Sequence, residues 1–126
     1  YIAIKMDDRS KDSMFLAISS LYNTLTSKLL KTFTVDRGKE FACFEQVETE
    51  FGIPMYFADA YAAWQRGSNE NSNGLLREFF PKRTDLAKVT LDKLTEALVL
   101  INNRPRKCLG FKTPFDMFKR EIRKLI

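Results

Sequence analysis

An α/β sandwich, a sheet flanked by helices, is the fold this chain predicts, and three observations predict it. Short runs rich in Ile, Thr, Phe and Val recur at residues 2–6, 31–35 and 54–57, the composition that strands favour. Between them, apolar residues return at three- and four-residue spacing, as amphipathic helices require. Three more helical stretches follow the last run, giving the order β-α-β-α-β-α-α-α. At 126 residues the chain has the length of one domain, and eleven Phe help supply its core.

Each element has its own signal. Ile2 and Ile4 alternate with Ala3 and Lys5, a weak strand pattern over residues 2–6. Asp7, Asp8, Arg9 and Ser10 make a turn, with Ser10 as N-cap and Asp12 in the first turn. Phe15, Ile18, Leu21, Tyr22, Leu25 and Leu29 then mark a helix over residues 11–29. A second strand covers 31–35. Phe41, Phe44, Val47 and Phe51 form the next helix, with Gly52 just past its end. Residues 54–57 are a short strand and 58–65 a loop. A helix over 67–80 places Leu75, Leu76 and Phe79 on one side and stops at Pro81. Thr90 caps a helix to about residue 102. Residues 103–112 are a basic loop, and Thr113-Pro114 opens the last helix with Asp116 in its first turn.

Composition excludes several chemistries. The chain has no histidine. That removes Ser-His-Asp and Cys-His nucleophile systems and Cys₂His₂ zinc sites. Cys43 and Cys108 are too few and too far apart for a disulfide framework; they read as free, buried or half-buried thiols in a reducing cytoplasm. No apolar run approaches the ~20 residues of a membrane span. No signal-peptide pattern opens the chain, and since residue 1 is Tyr, a fragment of a longer polypeptide is expected. The net charge of +5 is unevenly placed. Residues 77–126 hold 13 Lys and Arg against 6 Asp and Glu, whereas residues 1–76 hold 8 against 10. A basic half beside a carboxylate-bearing half suits a polyanion approaching a metal site. Lys and Arg on ordinary solvated helix faces would give the same count.

Asp36 and Glu70 are the most informative pair of residues. They lie in Thr34-Val35-Asp36-Arg37-Gly38-Lys39-Glu40-Phe41 and Trp64-Gln65-Arg66-Gly67-Ser68-Asn69-Glu70, with 33 residues between them. Asp36 ends a strand, beside a glycine that supplies a tight turn; Glu70 lies just inside a helix. Oxygen ligands so placed suit hard divalent cations such as Mg²⁺ or Mn²⁺, and two such ions can clamp both oxygens of a phosphodiester displacement. Taken alone, Asp36 fits a turn equally well, and Glu70 would favour any helix start. Glu40 fits the first turn of the following helix better than a metal site. Asn69, Asn71 and Asn73 are poor helix formers beside Gly74, so helix stability did not choose this stretch.

The pattern Thr-x-Asp-x-Gly-x-Glu-Phe, the 33-residue gap and Gly-x-x-Glu opening a helix resemble the catalytic core of the DDE recombinases, the retroviral integrases and bacterial insertion-sequence transposases. Residues 64–75, and residues 100–114 with Asn103-Arg104-Pro105 and Thr113-Pro114, are similar to one bacterial transposase branch. The resemblance covers roughly residues 30–120. It implies a ribonuclease-H-like mixed sheet flanked by helices, with Asp36 and Glu70 as catalytic metal ligands, Mg²⁺ or Mn²⁺ as cofactor and DNA as partner. Positions four before and seven after the glutamate touch DNA in related integrases, which makes Arg66 and Arg77 DNA-contact candidates and Asn73 a weaker one. Arg104, Arg106 and Lys107 form a basic loop that either holds phosphates or is simply solvated. Tyr61 and Trp64 read as loop anchors ahead of platforms for a splayed base.

One departure stands out. The family uses three carboxylates, the first on a strand two before the segment that resembles residues 1–5. Asp7, Asp8 and Asp12 sit where the family has no catalytic group. The expectation is therefore a single core domain over 1–126 lacking its first two strands and first metal ligand, and inactive alone. Its unpaired edge at residues 32–35 would favour a homodimer. The rival reading is an inactive remnant that only binds DNA or oligomerises. An RNA-directed nuclease relative ranks lower, since nothing here reads a 2′-hydroxyl. No membrane and no small-molecule substrate are expected, and the setting is a bacterial cytoplasm.

Overall fold

The computed structural model describes residues 1–59 and 67–125, and of Ser27 only the backbone. The described residues are mixed α/β and mostly helical, with one small parallel sheet. In order they form α1 (Lys11–Leu29), β1 (Phe33–Val35), a 3₁₀ turn (Lys39–Cys43), α2 (Phe44–Phe51), β2 (Met55–Phe57), α3 (Gly67–Phe79), α4 (Leu91–Asn102) and α5 (Pro114–Leu125), with short 3₁₀ turns at Leu86–Lys88 and Lys107–Leu109. They fall into two compact units: Ile4–Gly67, and Ser68–Ile126 together with Tyr1–Ala3.

In the first unit, α1 starts where the sequence places it. The Ser10 side chain accepts from the Ser13 amide, and Asp12 lies in the first turn. Upstream, Asp8 Oδ1 accepts from the Ser10 amide at 2.9 Å and the Ser13 hydroxyl at 2.7 Å. These hydrogen bonds hold the Asp8 carboxyl below its ordinary value. The helix is broken near its end at Thr26, whose φ of 62° and ψ of 171° are not helical. β1 and β2 pair in parallel, with Phe33 opposite Met55 and Val35 opposite Phe57. Phe33, Val35, Met55 and Phe57 share the inward face, while Thr34 and Tyr56 face out and are exposed.

Ile18, Val35, Cys43, Val47 and Met55 form the centre of the core. Phe15, Phe33, Phe41, Phe44, Phe51 and Phe57 pack around it half-buried. The expected helix containing Phe41 opens as a 3₁₀ turn and becomes α-helical only at Phe44. Gly52 ends it in the left-handed conformation, φ 65°, with its N–H on the Glu48 carbonyl, as expected of a glycine there. Glu48 also seals the outer edge of β2: its Oε1 accepts from the Met55 amide at 3.0 Å.

Residues 2–6 correct the sequence reading, because they form no strand. A strand needs a neighbour to take its backbone groups, and no described strand lies beside them. Ile2 and Ile4 are exposed instead, at 51% and 40%. Tyr1 is held by a side chain rather than a ladder. Asn102 Oδ1 accepts from the Tyr1 ammonium at 2.7 Å, and Asn102 Nδ2 donates to the Tyr1 carbonyl at 2.9 Å.

In the second unit, Thr90 caps α4 by accepting from the Lys93 amide, and Thr113 accepts from the Asp116 amide at the start of α5. Ala97 and Ile101 of α4 are buried, as is Phe80. The basic loop is an ordered turn. Arg106 N–H donates to the Lys112 carbonyl, and the Arg106 carbonyl accepts from Phe111. Among the described residues no helix is long and apolar enough to cross a membrane.

Candidate functional site

Asp36 follows β1 directly, half-buried. Its Oδ1 accepts from the Gly38 amide at 2.8 Å, a local turn closed by the carboxylate itself. Gly38 has φ −63° and ψ 147°, a conformation open to any residue. The expected tight-turn role is thus not why a glycine stands there; space is. A Cβ on Gly38 would lie 2.6 Å from both Glu40 carboxylate oxygens.

Glu40 is the functional-region residue that sequence reasoning undervalued. It lies in the first turn of the 3₁₀ segment as expected, but it is buried, at 8% exposure. Both its oxygens lie 3.4 Å from Arg9 Nη2. The two form an ion pair in which the Arg9 side chain is mostly exposed. No local pattern in the sequence signals this burial, because Arg9 lies 31 residues away. Below it, Cys43 is buried and its Sγ donates to the Glu40 carbonyl at 3.5 Å. Burial pushes the Cys43 thiol up, whereas Cys108 is exposed rather than half-buried.

Glu70 lies in the first turn of α3 in the other unit, exposed. Spacings of three and four carry its face through Asn73 to Arg77, and all three are exposed. Leu75, Leu76 and Phe79 are half-buried away from that stripe, as their spacing predicts. Tyr1 Oη donates to Asn73 Oδ1 at 2.9 Å. Burial raises the Tyr1 phenol, so it stays a donor at neutral pH. Arg77 Nη1 donates to the Phe80 carbonyl at 3.4 Å, just beyond the end of its own helix. Asn73 and Arg77 line one cavity of about 270 Å³ with Leu76, Phe80 and Leu86.

The remaining candidates are placed differently. Arg104 pairs with Glu78 at 3.0 Å, with both side chains well exposed. Such a pair is worth at most ~1 kcal/mol. Arg106 is half-buried at the closed turn, while Lys107 is exposed. Arg66, with Tyr61 and Trp64, lies outside the described residues.

Asp36 and Glu70 lie in different compact units, Asp36 in Ile4–Gly67 and Glu70 in Ser68–Ile126. No group of three or more His, Cys, Asp or Glu side chains that could hold a metal is gathered among the described residues.

No family model matches the chain. Individual relatives do. Transposase InsI for insertion sequence element IS30A of Escherichia coli is 43% identical over 116 residues, covering 90% of this chain and 30% of that protein. The transposase for insertion sequence element IS4351 of Bacteroides fragilis is 45% identical over 94 residues, 75% of this chain and 29% of that protein. A putative integrase, ORF3, of Spiroplasma virus SpV1-R8A2 B is 33% identical over 125 residues, 97% of this chain and 38% of that protein. The chain thus spans about a third of the length of the curated relatives it matches. Over that span it is a transposase- and integrase-like protein, homologous to the transposases of bacterial insertion sequences.

Proposed function

We propose that the chain is part of the catalytic core of a DDE-type transposase with a ribonuclease-H-like fold, and that it acts in DNA transposition. The observation that carries this is the 43% identity to an insertion-sequence transposase over nine-tenths of the chain. The half-buried Asp36 turn supports it. So does the exposed Glu70–Asn73–Arg77 stripe.

In this reading the parent enzyme hydrolyses a phosphodiester at the transposon end and directs the freed 3′-hydroxyl at target DNA. Asp36 and Glu70 would hold Mg²⁺ or Mn²⁺, which would supply activation of the attacking oxygen and stabilisation of the leaving one. Asp36 is oriented by the Gly38 amide, which donates to its Oδ1. Arg77, Arg104, Arg106 and Lys107 hold phosphates, with Asn73 beside them, and Arg66 is assigned the same role from its sequence position. Such contacts position DNA without reading its sequence. A homodimer, which would bring two DNA ends together, and a bacterial cytoplasmic setting complete the proposal.

The test is a transposition assay with the parent gene. Asp36→Asn and Glu70→Gln should each abolish strand cleavage in Mg²⁺ while leaving DNA binding in place. Full activity in either variant would remove that residue from the chemistry. Strand transfer by the 126-residue chain itself would show that another acid, Asp7 or Asp8, completes the site. DNA binding without any cleavage by the unmutated parent enzyme would favour a purely DNA-binding module.

A further inference from the structure

The cavity between α3 and the 3₁₀ turn Leu86–Lys88 has a composition that phosphate contacts do not explain. Its floor and wall are Leu76, Phe80 and Leu86, and its polar groups are Asn73 and Arg77. A phosphate needs cations and amides, not three apolar side chains. At about 270 Å³ the cavity falls just below the ~300–1,000 Å³ that drug-sized ligands occupy. It has room for one heterocyclic ring.

The polar groups are biased toward donors. Asn73 Oδ1 is already taken by the Tyr1 hydroxyl, which leaves the Nδ2 amino group to face a ligand. Arg77 has only donors, and one of its nitrogens reaches the Phe80 carbonyl through a long contact. Among the described residues no carboxylate lines the cavity. It lies in the residue range 77–126 and its flank, where 13 Lys and Arg face 6 Asp and Glu. That charge favours a ligand attached to a polyanion. An apolar slot, donors at its rim and a basic surround together match a planar base rich in carbonyl acceptors, carried on a phosphate backbone. Thymine fits best, with two carbonyl oxygens for the donors and a methyl group for the leucines.

We infer that this cavity receives a single unpaired base of the bound DNA, preferentially thymine, with Asn73 and Arg77 at its carbonyl edge and Leu76, Phe80 and Leu86 against its ring. An enzyme that opens or joins strands has unpaired nucleotides to hold, and a slot for one fixes the register of the strand. The inference rests on the DNA-binding reading above and adds a base-specific subsite to it.

The experiment uses the 126-residue chain, three labelled duplexes and a fourth that carries an extrahelical adenosine, all of equal length and read by fluorescence anisotropy. Of the first three, one is fully paired, one carries a single extrahelical thymidine, and one carries an abasic residue at that place. The thymidine duplex should bind about tenfold more tightly than either of the others, the effect expected of seating one base on an apolar surface. Leu86→Trp fills the slot from a half-exposed position, so the fold tolerates it. That variant should lose the thymidine preference and keep its affinity for paired DNA. Asn73→Leu should reduce the preference, and an extrahelical adenosine, which presents an amino group to Nδ2, should bind less well than thymidine. Equal binding of the thymidine and abasic duplexes overturns the base slot while leaving the DNA reading intact, as does a preference that survives Leu86→Trp. Failure to bind any duplex overturns both.

Discussion

Gly38 shows how a single residue carries information that its own dihedrals do not. Any amino acid could adopt φ −63° and ψ 147°. The glycine is needed because the Glu40 carboxylate occupies the space of its Cβ. Gly38→Ala should therefore destabilise the chain by ~1–3 kcal/mol, the cost of forcing atoms into a packed site. The cost should nearly vanish in a Glu40→Ala background, since the obstacle is gone. A double-mutant cycle by urea unfolding measures this coupling. Additive losses would show that Gly38 matters for some other reason.

Elements are governed by local chemistry that periodicity alone does not capture. The apolar spacing that predicts α1 over residues 11–29 is correct in extent, yet Thr26 interrupts the helix. Its φ of 62° with ψ of 171° belongs to a region that essentially only glycine occupies, at ~1–3 kcal/mol for other residues. Thr26→Gly should thus stabilise by ~1 kcal/mol, although glycine inside a regular helix costs about as much. A lowered thermal midpoint for this variant would mean that α1 is continuous in solution.

The start of the same helix makes a pH prediction. Hydrogen bonds from Ser10 and Ser13 lower the Asp8 carboxyl below its reference value of 3.8. A carboxylate with a depressed folded pKa stabilises above its unfolded value and loses that contribution as pH falls through the folded one. The stability difference between the wild type and Asp8→Ala should therefore be constant above pH 3.8 and disappear only in more acidic solution. A difference that grows on acidification would contradict the assignment.

The sheet belongs at this scale too. In a parallel ladder with Phe33 and Val35 bonded toward β2, the Thr34 backbone groups face the opposite edge. No described residue forms a strand there. Edges of that kind recruit other strands, which is the physical basis for the proposed dimer, and light scattering would decide it.

For the whole molecule, charge distribution makes the testable statement. With net charge +5 and its excess in residues 77–126, binding to DNA should fall steeply with salt as counterions are released. On fully paired duplexes, where no base is extruded, Arg77→Ala should weaken binding to all sequences about equally and reduce the magnitude of the salt slope by about 1. Salt-independent affinity would remove the phosphate contacts from the proposal.

The amino-acid sequence by itself determined the order and extent of the helices, the caps at Ser10, Thr90 and Thr113, the glycine stop at Gly52 and the two short strands. All of these rest on interactions within a few residues, which propensity and periodicity record directly. It also carried the resemblance to transposases, because motif spacing is a property of the chain. Tertiary structure alone decided that residues 2–6 are not a strand, since pairing depends on a distant neighbour. It decided that Glu40 is buried against Arg9, 31 residues away, and that Tyr1 fixes the amide of Asn73 across 72 residues. It also brought Leu86 beside Asn73 and Arg77 around one cavity. Those contacts join positions whose side chains show no shared period, so only the folded chain could reveal them.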